Sequence, residues 1–189
     1  MKNPKGKGNV FERDIAKVLS LWWSDEKDKY VFQRTQSSGA WSTLMKHDTS
    51  LRAQAGDITS IDERGRTFAD KVFVEVKWYK KEDSIFYEAL TGKRVQVLEW
   101  WKKCEGEAID AGKQPVLIVK FNNRVPFILL TYEFYMGIIG KFGMPTSIKS
   151  ACYMKLHFDD SVYNTIVAMK LTDWLTWCKP EFFKGEWEW

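Results

Sequence analysis

The sequence has few of the features that mark secreted, zinc-binding or membrane proteins. Its three cysteines, Cys104, Cys152 and Cys178, are widely spaced and form no CxxC pair, so neither a disulfide framework nor a zinc site is indicated. No apolar run reaches the ~18 residues that a membrane-spanning helix needs. The N-terminus has no apolar stretch typical of a secretion signal. We therefore expect reduced thiols and a cytoplasmic location.

The composition is typical of one folded domain. Apolar residues make up 44% and charged residues 29% of the 189 positions, which excludes a disordered tail. This length suits a single domain over 1–189. Within it we expect a core over about 9–132 and a C-terminal extension over about 133–189. The net charge is +4, and the arm "MKNPKGKGN" carries three lysines and no acid. Such an arm either binds phosphate or is a solvated chain end.

Apolar periodicity predicts an α/β fold. A helix is predicted over 10–23, with Asn9 as N-cap and Glu12 completing a capping box. The polar segment 42–55 is predicted as a long loop, a kind of segment that often carries function. The other predicted elements are a strand over 30–35, a hairpin of strands over 56–61 and 71–79 around "DERGR", a helix over 93–111 that ends at Gly112, a hairpin of strands over 115–121 and 124–131 around Asn122-Asn123, a helix over 133–142, a hairpin of strands over 153–158 and 162–169, and a helix over 172–178. This order, αβββαβ followed by a C-terminal α+β region, indicates a central mixed β-sheet flanked by helices.

The segment "VFVEVKWYK", residues 72–80, places two charges within an apolar strand. Successive side chains of a strand point to opposite faces, so Glu75 and Lys77 are predicted to lie on the face opposite the core. Asp57 and Glu75 lie symmetrically about residue 66. Pairing of the predicted hairpin would therefore bring these two carboxylates together. The residues predicted to face the core are Val72, Val74, Val76 and Trp78.

Two converging carboxylates repel each other unless a cation holds them. Mg²⁺ suits such a site because it prefers oxygen ligands and retains several waters. A metal here could polarise a phosphodiester and lower the pKa of its bound water. Lys77 could orient or deprotonate that water, or stabilise negative charge in the transition state. The alternative is a surface hairpin with an exposed Glu75–Lys77 pair of little energetic value.

These motifs resemble a nuclease family. "GD" at 56–57 followed by "EVK" at 75–77 looks like the PD-(D/E)xK signature, with Gly56 in place of the usual proline. The stretches "KGKGNVFERDIAKVL", "QRTQSSG", "GDI" and "VEVKWYKK", between Lys5 and Lys81, are similar to the archaeal-type Holliday junction resolvases and their phage-encoded relatives. The resemblance implies a restriction-endonuclease-like fold and a Mg²⁺-dependent endodeoxyribonuclease, with Mn²⁺ able to substitute. It also implies a homodimer that cuts branched DNA, in the host cytoplasm if a phage encodes the chain.

The resemblance implies a role for individual positions. Asp57 and Glu75 would bind the metal together with the backbone carbonyl of Val76, and Lys77 would be the catalytic lysine. Glu12 matches the acid that completes the active site and its metal ligands in this family. Because one residue can do both, the capping role predicted for Glu12 stays open beside the catalytic one.

Residues near these motifs match positions that contact DNA in the family. Arg13 and Arg34 match phosphate-contacting residues, and Ser38, or Ser37 in a shifted register, matches a serine near the scissile phosphate. The plainer alternatives are a solvated Arg13, an Arg34 that snorkels at a strand end, and two turn-forming serines. Further basic residues would extend a track for the DNA backbone. They are Lys5, Lys7, Lys80 and Lys81, with Arg52, Lys93 and Arg94 as additional candidates.

Other functions compete with junction cleavage. The same fold could cut linear duplex, flaps or single strands, or could bind DNA without catalysis. A protein-interaction domain with surface tryptophans as anchors is a third option. The presence of Glu12, Asp57, Glu75 and Lys77 disfavours DNA binding without catalysis. A protein-interaction domain predicts no salt-dependent affinity for DNA. His47 is predicted to be a solvated loop residue, and Trp100-Trp101 to pack the helix rather than to stack on bases.

Overall fold

The computed structural model describes residues 4–35, 55–80, 95–144, 151–157 and 163–185. Its helices are α1 (Pro4–Trp23), α2 (Glu63–Lys71), α3 (Gln96–Ala111), α4 (Tyr132–Phe142) and α5 (Leu171–Trp177), followed by a 3₁₀ turn at Pro180–Phe182. Its strands are β1 (Phe32–Arg34), β2 (Ile58–Ser60), β3 (Val72–Tyr79), β4 (Gln114–Phe121), β5 (Phe127–Thr131), β6 (Ala151–His157) and β7 (Tyr163–Lys170).

The main sheet has five strands in the order β3-β4-β5-β7-β6. β3 runs parallel to β4, with Val76 opposite Ile118, and the other neighbours pair antiparallel. β1 and β2 form a separate antiparallel pair. The predicted α/β fold with a mixed sheet and flanking helices is therefore confirmed. β3 lies at one edge of the sheet, so one side of its backbone is outside the ladder.

Apolar clusters cover both faces of β3. The first cluster joins α1 to β3 through Phe11, Ile15, Leu19, Val72, Val74 and Val76. The second joins α3 to β3 through Phe73, Val97, Trp101, Cys104 and Ala108. The predicted alternation along β3 is confirmed, but the alternative of an exposed Glu75–Lys77 pair is wrong because α3 covers that face. A parallel strand pair needs a crossover connection, and sheets of this kind are covered on both faces.

The predicted hairpin around "DERGR" is wrong, because this segment begins helix α2. Asp62 is the N-cap, and its Oδ1 accepts a hydrogen bond from the Arg64 backbone N–H at 2.8 Å. The buried face of α2 consists of Gly65, Phe68 and Ala69, at helical spacing. β2 consequently pairs with β1, and β3 pairs with β4, so β2 and β3 do not form a hairpin with each other.

Helix α1 begins earlier than predicted. Pro4 is its first residue, a position where the N–H that proline lacks would have no helical partner. The N-cap predicted at Asn9 is therefore wrong. Asn9 lies inside the helix, where its carbonyl accepts a hydrogen bond from Arg13 Nε at 3.2 Å. A capping box between Asn9 and Glu12 is thereby excluded.

Several other predicted elements are confirmed, with small shifts at their ends. α3 ends at Gly112, which adopts the left-handed conformation with φ 66°. Asn122 and Asn123 form the turn between β4 and β5, in which the Arg124 N–H donates to the Phe121 carbonyl at 3.1 Å. The helix α4 and the hairpin β6–β7 also form as predicted.

The last third of the chain adds to the same sheet and the same core. β7 pairs with β5, and β6 pairs with β7. The rings of Trp174 and Phe183 lie 5.2 and 5.8 Å from the ring of Trp22 on α1. Residues on α5 and after it therefore pack against the first helix. The predicted loop over 42–55 lies outside the described residues, except for Ala55.

In the described ranges, no helix combines the length and the apolar character that crossing a bilayer requires.

Candidate active site

Asp57 is held at the open edge of β3. Its N–H donates to the Val74 carbonyl at 2.7 Å, and its Oδ2 accepts a hydrogen bond from the Val76 N–H at 2.9 Å. Gly56 allows this close approach, because its φ is 94° and a Cβ there would lie 2.8 Å from the Val74 carbonyl oxygen. One local backbone contact thus brings Asp57 to the strand that carries Glu75, without the hairpin that the sequence predicts.

Glu75 and Lys77 lie on the face of β3 that α3 covers. Glu75 is 6% exposed, as is Asp57. Lys77 Nζ donates a hydrogen bond to Glu75 Oε1, and the Lys77 side chain is 27% exposed. A buried carboxylate, its lysine partner and a second buried carboxylate therefore share one small region. Burying these charges lowers the stability of the folded state unless further interactions compensate for the lost hydration.

Burial and neighbouring charges shift the pKa values of this group. Burial, followed by the negative charge of Asp57, raises the pKa of Glu75 from 4.5 to about 7. The positive charges of Lys77 and Lys103 oppose this only in part. Burial alone would lower the pKa of Lys77, but the negative charges of Glu75, Asp57 and Glu12 raise it overall. The site carries more negative charge than Lys77 neutralises, so a further cation would stabilise it.

Glu12 and Arg34 form an ion pair beside this group. Arg34 Nε donates to Glu12 Oε2 at 2.5 Å, and the two side chains are only 27% and 16% exposed. The charge of Glu12 contributes to the raised pKa of Lys77. The structure thus brings Asp57, Glu75 and Lys77 together, and Glu12 lies near enough for its charge to act on Lys77. Arg34 therefore holds Glu12 in place. The sequence predicts that Arg34 contacts a DNA phosphate or snorkels at a strand end.

The oxygen atoms at this edge are of the kinds that a hard divalent cation prefers. Asp57 and Glu75 offer carboxylates, and the Val76 carbonyl points to the same side as the Val76 N–H that bonds Asp57. Two carboxylates and a carbonyl leave coordination positions for water, as Mg²⁺ requires. Across the described ranges, no three His, Cys, Asp or Glu side chains form a ligand group. The predicted metal roles of Asp57, Glu75, Val76 and Glu12 therefore stay predictions.

The predicted DNA-contacting residues lie on elements around the site, and their roles stay predictions. Lys7 and Arg13 lie on α1, where Arg13 is exposed, and Lys80 is exposed directly after β3. Lys5 belongs to α1, but its side chain is outside the described part. The following positions also lie outside the described residues: Ser37, Ser38, His47, Arg52, Lys81, Lys93 and Arg94.

Two residues of α3 that no motif marks complete the surroundings of Glu75. Lys103 lowers the pKa of Glu75, and its Nζ lies 3.5 Å from Glu107 Oε1. Cys104 is fully buried. Burial raises the pKa of its thiol, and the charge of Glu75 adds to this. Helical spacing indicates that Cys104 is buried. No local pattern, however, indicates that α3 lies over Glu75.

Comparison with known proteins identifies a family over almost the whole chain. The family model described as "Phage putative PDDEXK endonuclease" matches residues 3–185. No curated protein and no solved structure matches the chain. The family match includes the last third of the chain, for which the sequence motifs offered no counterpart. It confirms the resemblance to PD-(D/E)xK nucleases of phage. This chain belongs to the phage PDDEXK endonuclease family.

Proposed function

We propose that this protein is a divalent-metal-dependent endodeoxyribonuclease that cuts branched DNA, with the four-way junction as its main substrate. The observation that carries the proposal is the meeting of two buried carboxylates, Asp57 and Glu75, with Lys77 at the edge of β3. Charged groups that are buried together with strongly shifted pKa values are concentrated at functional sites. The family supplies the class of enzyme, an endonuclease.

The metal would be held by Asp57, Glu75 and the backbone carbonyl of Val76. Mg²⁺ suits these hard oxygen ligands, and Mn²⁺ would substitute. When bound, the ion would polarise the scissile phosphodiester and lower the pKa of a coordinated water. The Val76 N–H fixes one oxygen of Asp57, which orients this carboxylate along the edge of the strand.

Lys77 would supply positive charge and hydrogen-bond donors at the reacting phosphate. Its ammonium bonds Glu75, and its side chain is partly exposed. From this position it would orient the attacking water or stabilise the negative charge that develops in the transition state. Glu12, held by Arg34, would complete the acidic side of the site.

Preference for junctions is supported by the N-terminal motifs that resemble junction resolvases. Two of these motifs, "NVFERDIAKVL" and "QRT", meet in the structure through the Glu12–Arg34 ion pair. A homodimer with two-fold symmetry would present two sites to opposing strands, so that paired nicks resolve a four-way junction. Phosphate contacts without base readout suit an enzyme that recognises DNA shape.

Cleavage of a synthetic four-way junction in Mg²⁺, beside a matched linear duplex, a flap and a single strand, tests this proposal. We expect paired symmetric nicks in the junction and much slower cleavage of the other DNAs. Equal cleavage of all substrates would refute the junction preference but keep the nuclease. DNA binding without cleavage in either Mg²⁺ or Mn²⁺ would favour a non-catalytic DNA-binding module.

The dimer and the metal have separate tests. Light scattering of the protein with junction DNA should give the mass of a dimer on one junction, and a monomer that still makes paired nicks would contradict the two-fold scheme. Titration calorimetry with Mn²⁺ should detect binding to the wild type and a strong loss of it in Asp57→Asn. Equal heats for both proteins would exclude Asp57 as a ligand.

A further inference from the structure

Two lysines lie over aromatic rings beside the candidate active site. Lys7 Nζ is 4.8 Å from the centroid of the Trp78 ring, and Lys120 Nζ is 5.7 Å from the centroid of the Phe11 ring. No sequence motif marks Lys120, which lies far along the chain from the other three residues. We call Lys7, Phe11, Trp78 and Lys120 the two-lysine patch.

The backbone explains why these four residues lie together. Trp78 and Lys120 are opposite each other in the parallel pair β3–β4, so their side chains share one face of the sheet. Helix α1 packs on that face, as Phe11 belongs to the same apolar cluster as Val76. Lys7 and Phe11 are four residues apart on α1 and are therefore neighbours on its surface.

The two-lysine patch borders the candidate active site on two elements. Phe11 directly precedes Glu12 on α1, and Trp78 directly follows Lys77 on β3. Consecutive Cα atoms are about 3.8 Å apart. Because Lys77 and Trp78 point to opposite faces of β3, the patch lies on the α1 side of the strand and Lys77 on the α3 side. DNA that reaches the site along α1 would pass the patch.

The ring contacts restrict the two lysines without neutralising them. An ammonium is attracted to the face of a ring, and its methylene stem covers apolar surface. In the described part of the chain, neither Lys7 nor Lys120 takes part in an ion pair. Both side chains are partly exposed. Each lysine therefore keeps its positive charge, and both remain available to an anion.

Building on the proposed nuclease function, we propose that Lys7 and Lys120 contact backbone phosphates of the bound DNA on the α1 side of the candidate active site. A contact to phosphate carries no sequence information, so the patch strengthens binding to every DNA that enters the site. The rings of Trp78 and Phe11 keep the two ammonium groups in place, which reduces the ordering that binding requires.

Binding assays with Lys7→Gln and Lys120→Gln, made separately, test this inference. Fluorescence anisotropy with a four-way junction and a linear duplex in EDTA, over a series of KCl concentrations, gives the dissociation constant and its salt dependence. We expect each substitution to weaken binding to both DNAs about tenfold. Each should also reduce the slope of log K against log[salt] by about 1. The Arg variants at the same positions should restore both quantities, because arginine also binds phosphate.

Lys29→Gln is the matched control. Lys29 Nζ also lies over a ring, 5.1 Å from the centroid of Tyr30, but in the segment after the opposite end of α1, whose 20 residues span about 30 Å. Binding by this variant should equal wild-type binding. A loss as large as that of the Lys120 variant would refute a local contact at the two-lysine patch.

The possible failures can be told apart. If the wild type binds and cuts DNA but both Gln variants keep its affinity and salt slope, the inference is wrong and the nuclease function stands. If the wild type binds DNA but cuts none, the proposed function fails, and the salt slopes still decide the role of the patch. If the wild type binds no DNA, both proposals fall. Melting temperatures in EDTA verify that the variants are folded.

Discussion

The protonation of Glu75 couples the stability of the metal-free protein to pH. Burial, and then the charge of Asp57, raises the pKa of Glu75 from 4.5 to about 7 in the folded chain. In the unfolded chain the carboxyl returns to its ordinary pKa. Between these two pH values the folded state binds the proton more tightly than the unfolded state. The free energy of unfolding therefore falls as the pH rises from about 4.5 to about 7.

The size of this effect follows from the pKa difference. One pKa unit corresponds to about 1.4 kcal/mol, so the interval from 4.5 to about 7 corresponds to about 3 kcal/mol. At pH 5 part of the unfolded population is already ionised, which reduces the loss between pH 5 and pH 8 to about 2–3 kcal/mol. Domains have total stabilities of about 5–15 kcal/mol. The expected change is therefore easily measured.

Urea unfolding of the wild type and of Glu75→Gln, in EDTA at pH 5 and pH 8, is the assay. Glutamine keeps the shape of the side chain and does not ionise, so the variant should lack this part of the pH dependence. Between pH 5 and pH 8, the free energy of unfolding of the variant should rise by about 2–3 kcal/mol relative to that of the wild type. An identical pH dependence of the two proteins would refute the argument that ionisation of Glu75 lowers the stability of the folded state.

Addition of Mg²⁺ extends the same experiment. A ligand that binds only the folded state stabilises it, by about 2.7 kcal/mol at 100 times its dissociation constant. At pH 8 we expect Mg²⁺ to raise the stability of the wild type and to have little effect on Glu75→Gln. Equal stabilisation of both proteins would place the metal elsewhere.

The remaining predictions concern Lys77 and three glycines. Lys77→Ala should abolish junction cleavage while gel-shift affinity stays close to that of the wild type, and undiminished nicking would refute the role assigned to Lys77. Gly56→Ala should destabilise the protein by about 1–3 kcal/mol and impair cleavage, because a Cβ at φ 94° would press on a carbonyl of β3; wild-type melting and activity would contradict this. Gly65→Ala should cost about 1–3 kcal/mol, because its Cβ would lie 2.6–2.8 Å from three side chains. Gly106→Ala, in open space on α3, should instead stabilise by about 1 kcal/mol, and the reverse order of the two melting temperatures would refute the packing argument.

The error at "DERGR" shows where local sequence reasoning is ambiguous. Aspartate and glycine favour turns, but aspartate also favours the N-cap of a helix. Asp62 caps α2, and Gly65 is selected by close packing rather than by a turn. Two short apolar segments on either side of such a motif are compatible with a hairpin or with a strand–helix–strand unit. The choice depends on strand partners that lie elsewhere in the chain, β1 for β2 and β4 for β3.

For the carboxylate pair, in contrast to "DERGR", the sequence predicts the spatial outcome correctly. Asp57 and Glu75 are close in space, as the sequence predicts, although the backbone route differs. Their residue types and the intervening "GD…EVK" spacing indicate a cation site under either topology. The burial of Glu75 under α3 is not predicted, however, because a strand pattern reports which side chains share a face and not what packs against that face.

The sequence by itself determined the alternation along β3, the order of the motifs and the acidic and basic residues of the site, because these depend on neighbours within a few positions. Only the tertiary structure decided that Glu75 is buried under α3, that Arg34 holds Glu12, and that Lys120 lies over the ring of Phe11 on α1. Burial and electrostatic fields depend on distance in space, and the residues that set them here are separated by long stretches of chain.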